Sequence, residues 1–454
     1  MKRLDSVLAG VLALGAAALT PVAQGADDGA ALLEQYCAGC HQAGDDGSPN
    51  RIDEARRTPE GWDMTLARMQ FLHGVEYAPG DRAALVRHLA DSRGLAPQEA
   101  APWRYVLEQR PNVIEQPEDG TVAVMCARCH SYARVALQRR SRDDWLKLSH
   151  FHLGQYPTTE YQALGRDRYW WRIASTDIPE RLAELYPLDD PAWQAWQAAD
   201  KPDPTGSWRV SGHQPGRGRY TGNATILPTE GGGYTIDMAL NYADGGTRRG
   251  EGQGVLYTGY EWRASLTLDD TPVRQVLALS STGDELTGRW YQADDDALGG
   301  DLRLRRLTAA PAVLAVEPPY LQPGQQASVV IHGVGLEGSA NLGEGVLVEQ
   351  VLYRSPVAVT LAVRVTDEAP VGPRDLRIGE IAAPGALTVY DRIDSVRVEP
   401  GYAIARVGSN GGPIDTVPAQ FDAVAYLDGP DGEPGTDDDV RIGSMPAHWA
   451  MDNA

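Results

Sequence analysis

All four cysteines of the chain stand in two C-x-x-C-H motifs, Cys37-Ala38-Gly39-Cys40-His41 and Cys126-Ala127-Arg128-Cys129-His130. Two thiols one helical turn apart can add to the two vinyl groups of one porphyrin, and the imidazole of the next residue then ligates the iron. The pattern therefore predicts two covalently attached c-type haems. One is held by Cys37 and Cys40 with His41 on its iron, the other by Cys126 and Cys129 with His130. A redox-active dithiol, a disulfide framework or half a zinc site are the rival uses of such pairs, and each must explain a histidine directly after both.

The elements around the motifs repeat, and the repeat assigns the second axial ligands. Arg56-Arg57-Thr58-Pro59-Glu60-Gly61-Trp62-Asp63 follows the first motif, and Arg139-Arg140-Ser141-Arg142-Asp143-Asp144-Trp145 follows the second. Each is a basic stretch leading into a capped helix start. With the tryptophans in register, Met69 and His152 fall at the same offset, a thioether and an imidazole that both suit haem iron. The assignment is His41/Met69 for the first haem and His130/His152 for the second. Met64, His73 and His88 in the first half and His150 in the second are the alternatives; His150 and His152 point to different sides of a helix, so only one can face the iron. Thioether ligation raises the potential, which makes the His41/Met69 haem the expected higher-potential centre. Arg57, Arg139 and Arg140 are read either as partners of haem propionates or as a solvated basic face.

Lys2 and Arg3, an apolar run from Val7 to Leu19 and small residues at Ala23-Gln24-Gly25 read as a signal peptide over residues 1–25, cleaved near Ala26. Haem c is attached on the exported side of a bacterial membrane, so the expected compartment is the periplasm. No later stretch is an uncharged apolar run long enough to span a bilayer, and no membrane span is expected. The formal net charge of −21 disfavours nucleic acid and anionic membrane surfaces as partners. A composition of 42% hydrophobic and 23% charged residues is that of a folded multidomain chain rather than a disordered one.

The chemistry lies early in the chain. Helical apolar spacing marks Ala30 to Tyr36, Thr58 to Leu72, Gly80 to Ala90, Val122 to Leu137 and Arg142 to Leu153, and continues from Thr158 to Ala199. Trp170, Trp171, Trp193 and Trp196 in that last stretch are read as packing residues. The expected architecture is an all-α dihaem cytochrome c domain over 26–200, followed by all-β domains. These are an antiparallel barrel over 205–308, an immunoglobulin-like sandwich over 311–390 and a second, shorter immunoglobulin-like domain over 391–454. Strand segments there include Tyr234 to Leu240, Gly254 to Ala264 and Val357 to Val365. Two motifs in this part are set aside. Gly333-Val334-Gly335-Leu336-Glu337-Gly338 has dinucleotide spacing but no helix-forming sequence after it. The acidic run Asp428 to Asp439 lacks helix-loop-helix calcium spacing and reads as a solvated turn.

The two C-x-x-C-H motifs, the stretches Thr58 to Gln70, Ala133 to Arg140 and Phe151 to Pro157, and the following β domains resemble the alpha subunit of quinohaemoprotein amine dehydrogenase over essentially the whole chain. The resemblance implies the dihaem subunit of a three-subunit periplasmic oxidoreductase acting on primary amines. A propeller beta subunit and a small gamma subunit carrying a cysteine tryptophylquinone would accompany it. This chain would supply no catalytic residue; it would take electrons from that quinone through its two haems to a blue-copper protein or a small cytochrome c. The final β segment is shorter than the family's last domain. A stand-alone dihaem peroxidase is the alternative, but it needs an open iron position, whereas each haem here has a matched second ligand. A cell-surface β protein with incidental haems is a third reading.

Alanine at Cys37, Cys40, Cys126 or Cys129 is expected to abolish covalent attachment of one haem and leave the other, counted per chain by pyridine haemochrome.

Overall fold

Two short arginine-rich strands, β1 (Ala55–Arg57) and β2 (Gln138–Arg140), pair antiparallel with Arg56 opposite Arg139, and this two-stranded ribbon organises the helical domain. The computed structural model describes residues 28–42, 50–161, 167–408 and 415–451. The expected signal peptide lies outside them. Around the ribbon run α1 (Asp28–Cys37), α2 (Pro59–His73), α3 (Asp81–Arg93), α4 (Pro97–Ala100), α5 (Gly120–Cys126), α6 (Ala133–Ala136), α7 (Arg142–Gln155), α8 (Trp170–Leu185) and α9 (Pro191–Ala198).

An antiparallel pair centred on one residue from each strand has a local two-fold axis at its middle, here between Arg56 and Arg139. Residues at equal offsets from these two occupy equivalent places, and the sequence repeat is this two-fold relation. The strands lead into α2 and α7, which start alike: the Thr58 hydroxyl accepts from Gly61 N at 3.3 Å and the Ser141 hydroxyl from Asp144 N at 3.0 Å. Trp62 and Trp145, both 2% exposed, anchor the two helices in separate apolar clusters. The guanidinium of Arg57 lies over the Trp62 ring at 4.9 Å and that of Arg140 over the Trp145 ring at 5.4 Å.

Glu99 sits where the two halves meet. Its carboxylate accepts from Arg56 Nη1 and Nη2 and from Arg139 Nε, each at 2.9 Å, and from the Ala96 backbone N–H at 2.7 Å. All three charged side chains are at least nine-tenths buried. One carboxylate thus compensates two buried guanidinium groups, with backbone carbonyls of Gly94, Leu188 and Ala136 taking further N–H groups. Burial raises the Glu99 pKa and the two arginines more than reverse that, leaving it below the ordinary carboxylate range. The reading of Arg139 and Arg140 as a solvated face is therefore corrected: both are buried and ion-paired, Arg139 with Glu99 and Arg140 with Asp144.

The stretch from Val122 to Leu137 is broken, with α5 ending at Cys126 and α6 starting at Ala133. The second motif occupies the break, so Cys129 and His130 leave the helical surface. Glu115 holds the far side, accepting from the backbone N–H groups of Tyr132 at 2.6 Å and Ala133 at 3.0 Å. Of the four tryptophans read as packing residues, Trp170, Trp193 and Trp196 are buried and Trp171 is half-buried.

The next segment is a closed eight-stranded antiparallel barrel of β3 (Gly206–Gln214), β4 (Gly218–Pro228), β5 (Tyr234–Tyr242), β6 (Thr247–Tyr257), β7 (Glu261–Leu268), β8 (Thr271–Leu279), β9 (Glu285–Gln292) and β10 (Gly299–Arg306), with β10 closing on β3. Closure leaves no free sheet edge. Trp208, Trp262, Trp290 and Tyr220 fill it. A Cβ at Gly254 would stand 2.4 Å from the Trp262 ring, so this glycine is required by close packing. The stretch from Gly254 to Ala264, read as one strand, is two: Thr258 and Gly259 turn with φ of 57° and 75°. That turn receives the helical domain. Trp196 Nε1 donates to Thr258 O at 2.8 Å, Asp91 accepts from Thr258 N at 2.6 Å, and Glu60 at the start of α2 pairs with Arg263 of β7 at 2.6 Å.

Beyond the barrel, a four-stranded sheet in the order Ala312–Glu317, Gln326–Val334, Ala358–Val365, Val346–Ser355 packs on a second in the order Tyr320–Leu321, Ile381–Val389, Gly372–Ile378, Ala340–Asn341. Their alternating inward residues, among them Val329, Ile331, Leu361, Val363, Leu376 and Ile378, make one sandwich core. The glycines at 335 and 338 have φ of 62° and 89° and lie in the turn after a strand, with no helix following. The last described strands, Ser395–Glu399, Asp422–Leu427 and Val440–Met445, form a three-stranded antiparallel sheet. In the acidic turn beside it the carboxylates are used internally: Asp438 accepts from Asp431 N and the Thr436 hydroxyl, and Asp439 from Gly435 N and Arg397.

Glu99→Gln leaves two buried arginines without their carboxylate and is expected to destabilise the helical domain by about 3–5 kcal/mol in denaturant unfolding. Glu349→Gln, at the exposed ion pair with Arg364, is expected to leave the same curve unchanged.

Candidate haem centres

The first motif continues the last turn of α1. Cys40 N and His41 N both donate to Cys37 O, at 3.1 and 2.8 Å, so the chain stays coiled and presents both thiols and the imidazole from one turn. Cys37 is half-buried on the apolar cluster that contains Leu33 and Leu66, as are Tyr36 and Tyr77, and Cys40 is exposed. Tyr36 and Tyr77 pack edge to face at 5.3 Å, with the Tyr36 hydroxyl on Asp81 at 2.7 Å and the Tyr77 hydroxyl on Leu66 O at 3.3 Å. The second motif leaves α5, whose start is capped by Asp119 accepting from Thr121 N and Val122 N at 2.7 and 2.9 Å. Trp170 Nε1 fixes its end through Met125 O at 3.0 Å.

The cysteines pair with no other cysteine. Burial pushes the Cys37 thiol up, helped by neighbouring Cys40, and burial pushes the Cys126 thiol up to about 12. A redox-active C-x-x-C needs the reverse, a thiolate favoured at neutral pH. Nor does any group of three or more His, Cys, Asp or Glu side chains converge for a metal ion among the described residues.

The histidines are oriented alike. His41 Nδ1 faces Asn50 O, His130 Nδ1 faces Ser131 O and His152 Nδ1 faces Leu148 O, each at 2.9 Å. A carbonyl oxygen only accepts, so Nδ1 carries the hydrogen, and in the neutral ring Nε2 then keeps its lone pair. This is how a ligating imidazole is fixed, one nitrogen tied to the backbone and the other offered to the metal. The residues present therefore fit a covalently held haem. His152 is on the Trp145 face of α7, seven residues on, and lies within electrostatic range of His130. Burial, chiefly, holds its pKa down, which keeps the ring neutral.

Met69 holds the matching position, on the face of α2 that carries Trp62 and Leu66. The alternatives go elsewhere. His150 packs on Trp171 of α8, centroids 4.6 Å apart. His88 of α3 packs against Gly29 of α1. His73 is exposed at the end of α2. Met64 is exposed, its sulfur 3.3 Å from Arg134 Nη2. Sequence reasoning missed Glu99, Glu115 and the Asn50 carbonyl. Only Glu99 left a signal, an acid three residues after the cap position of a Pro-led helix.

With the frame and the imidazoles so placed, the helical part is a haem-binding domain carried on a β scaffold. Residues 27–193 match the haem-binding domain of the alpha subunit of quinohemoprotein amine dehydrogenase; 202–307, 310–391 and 396–454 match domains II, III and IV of the same subunit. The chain belongs to that alpha-subunit family, and so to an amine-oxidising oxidoreductase that has other subunits. No curated protein matches it. Among solved structures it is similar to a de novo designed fluorescence-activating β-barrel, with 21% identity over 22% of this chain and 92% of that one, TM-score 0.20. A redesigned barrel, mFAP1, bound to DFHBI, gives 20% identity over 22% and 94%, TM-score 0.20. Among the described residues no helix is long and apolar enough to cross a membrane.

Met69→His should lower the potential of one centre selectively and remove the methionine-linked spectral signature, read by redox titration with optical spectra. His152→Ala should open the other centre, whereas His150→Ala should alter neither.

Proposed function

We propose that this chain is the periplasmic dihaem electron-transfer subunit of its dehydrogenase, exported with a cleaved signal peptide. Cys37 and Cys40 would hold one haem with His41 and Met69 as axial ligands, and Cys126 and Cys129 the other with His130 and His152. When bound, each haem supplies a one-electron carrier. The protein's own contribution is to fix ligands that need not move when the charge on the metal changes. Asn50, Ser131 and Leu148 carbonyls hold three imidazoles, and the shared ribbon holds α2 and α7 at a constant separation. That fixed geometry favours electron transfer over chemistry at an open iron, which is what a dihaem peroxidase would require. The observation that carries the reading is that His41, His130 and His152 each tie Nδ1 to a backbone carbonyl at 2.9 Å.

In this reading Cys126, Cys129, His130 and His152 would hold the haem that takes electrons from a cysteine tryptophylquinone on a small gamma subunit, beside a propeller beta subunit, and Cys37, Cys40, His41 and Met69 would hold the haem that hands them to a blue-copper protein or a small cytochrome c. In this reading the amine is oxidised on a partner subunit, and the β domains of this chain serve as scaffold.

In the assembled enzyme, mixing with a primary amine under anaerobic conditions should reduce both haems within a turnover. Met69→His should keep the first reduction and slow electron delivery to the acceptor at least tenfold, in stopped-flow absorbance. Hydrogen peroxide consumption by the isolated chain, without amine-dependent haem reduction in the assembly, would refute the proposal.

A further inference from the structure

Arg57 and Arg140 are two-fold equivalents, yet only one has a carboxylate of its own. Arg140 pairs with Asp144, four residues on; the residue four on from Arg57 is Gly61. A Cβ at Gly61 would stand 3.0 Å from Arg57 Cβ, so the place an acidic side chain would fill beside Arg57 holds nothing but a hydrogen. Asp144 cannot serve both, since its oxygens already take Arg140 and, at 3.4 Å, Arg51.

Arg57 is nonetheless buried, 7% exposed. Its Nη1 donates to the Thr65 hydroxyl, its plane rests on Trp62, and its Nε is buried without a hydrogen-bond partner. Around it gather Arg140, Arg68 and Arg51, with Asp144 as the carboxylate within range. Burial and then the neighbouring Arg140 hold its pKa well below the ordinary guanidinium value. A buried donor with nothing to donate to, inside an excess of positive charge, is costly unless an anion completes it. The cluster also abuts a proposed iron ligand: Arg68 and Arg140 act electrostatically on His152, as His130 does.

We infer that Arg57, with Arg68 and Arg140 beside it, is the seat of a propionate carboxylate of the haem held by Cys126 and Cys129. The inference rests on the dihaem reading above. It assigns Arg57 a positioning role, fixing that carboxylate through its free Nε edge and the planar donor geometry that suits carboxylates. It also accounts for Gly61: an aspartate there would neutralise Arg57 and compete for the seat. A guanidinium near the iron favours the reduced state, so its removal lowers the potential of that haem.

The test uses the holo chain with its haems counted. Arg57→Gln should lower the midpoint potential of the His130/His152 centre, leave the other centre in place, and shift the propionate-bending band in resonance Raman spectra. Arg57→Lys, which keeps the charge, should recover the potential. Arg68→Gln provides a second variant at a half-buried site and should shift the same centre by a smaller amount in the same direction. Both potentials and the Raman band unchanged in Arg57→Gln with two haems attached, or a shift confined to the other centre, would overturn the inference and leave the dihaem reading standing. Fewer than two covalent haems in the wild-type chain would overturn both.

Discussion

The helical domain depends on one carboxylate. Glu99 lies at the local two-fold axis of an arginine-rich ribbon and compensates Arg56 and Arg139 at once, in a place nearly closed to water. Isolated charges cannot be buried at that depth; the arrangement persists because the carboxylate and the backbone carbonyls around it satisfy the guanidinium donors together. The placing of Met69 and His152 follows from it. The ribbon sets the register of its two strands, each strand runs into a capped helix, and each helix carries a buried tryptophan followed by a residue able to bind iron.

The two halves differ where function requires it. Equivalent helix positions hold Met69 and His152, which would give the two centres unlike potentials from one backbone plan. Gly61 and Asp144 differ in the same way and decide which arginine keeps a free edge. The first half is also tied to the barrel, through Glu60 on Arg263 and Asp91 on the Thr258 turn. At this joint Glu261 is buried beside Glu60 and the Thr258 hydroxyl, and burial pushes its pKa up toward about 8 in spite of Arg263.

Much of this was legible in residue spacing. The C-x-x-C-H pairs mark the candidate attachment points, and aligning Trp62 with Trp145 puts Met69 and His152 at matching places because a helix returns to the same face after seven residues. The alternation of apolar residues is enough for the barrel and the sandwich. What could not be read were contacts made at long range. Arg139 looks solvated in sequence because its partner stands forty positions away, at Glu99. The break between α5 and α6 is invisible to apolar periodicity because the motif's own alanine and arginine continue the pattern while the backbone leaves it. The Thr258–Gly259 turn is hidden for a similar reason, since strand-forming residues, Val255, Leu256 and Tyr257 before it and Tyr260 and Trp262 after it, flank it closely on both sides.

The central claim is that both irons are closed by two protein ligands on a common frame, one by two imidazoles and one by an imidazole and a thioether. Low-temperature electron paramagnetic resonance of the fully oxidised chain tests it most directly. The account predicts two low-spin ferric signals of equal intensity, with g-anisotropy that differs between them. A high-spin ferric signal integrating to one haem per chain would show an open iron and contradict it.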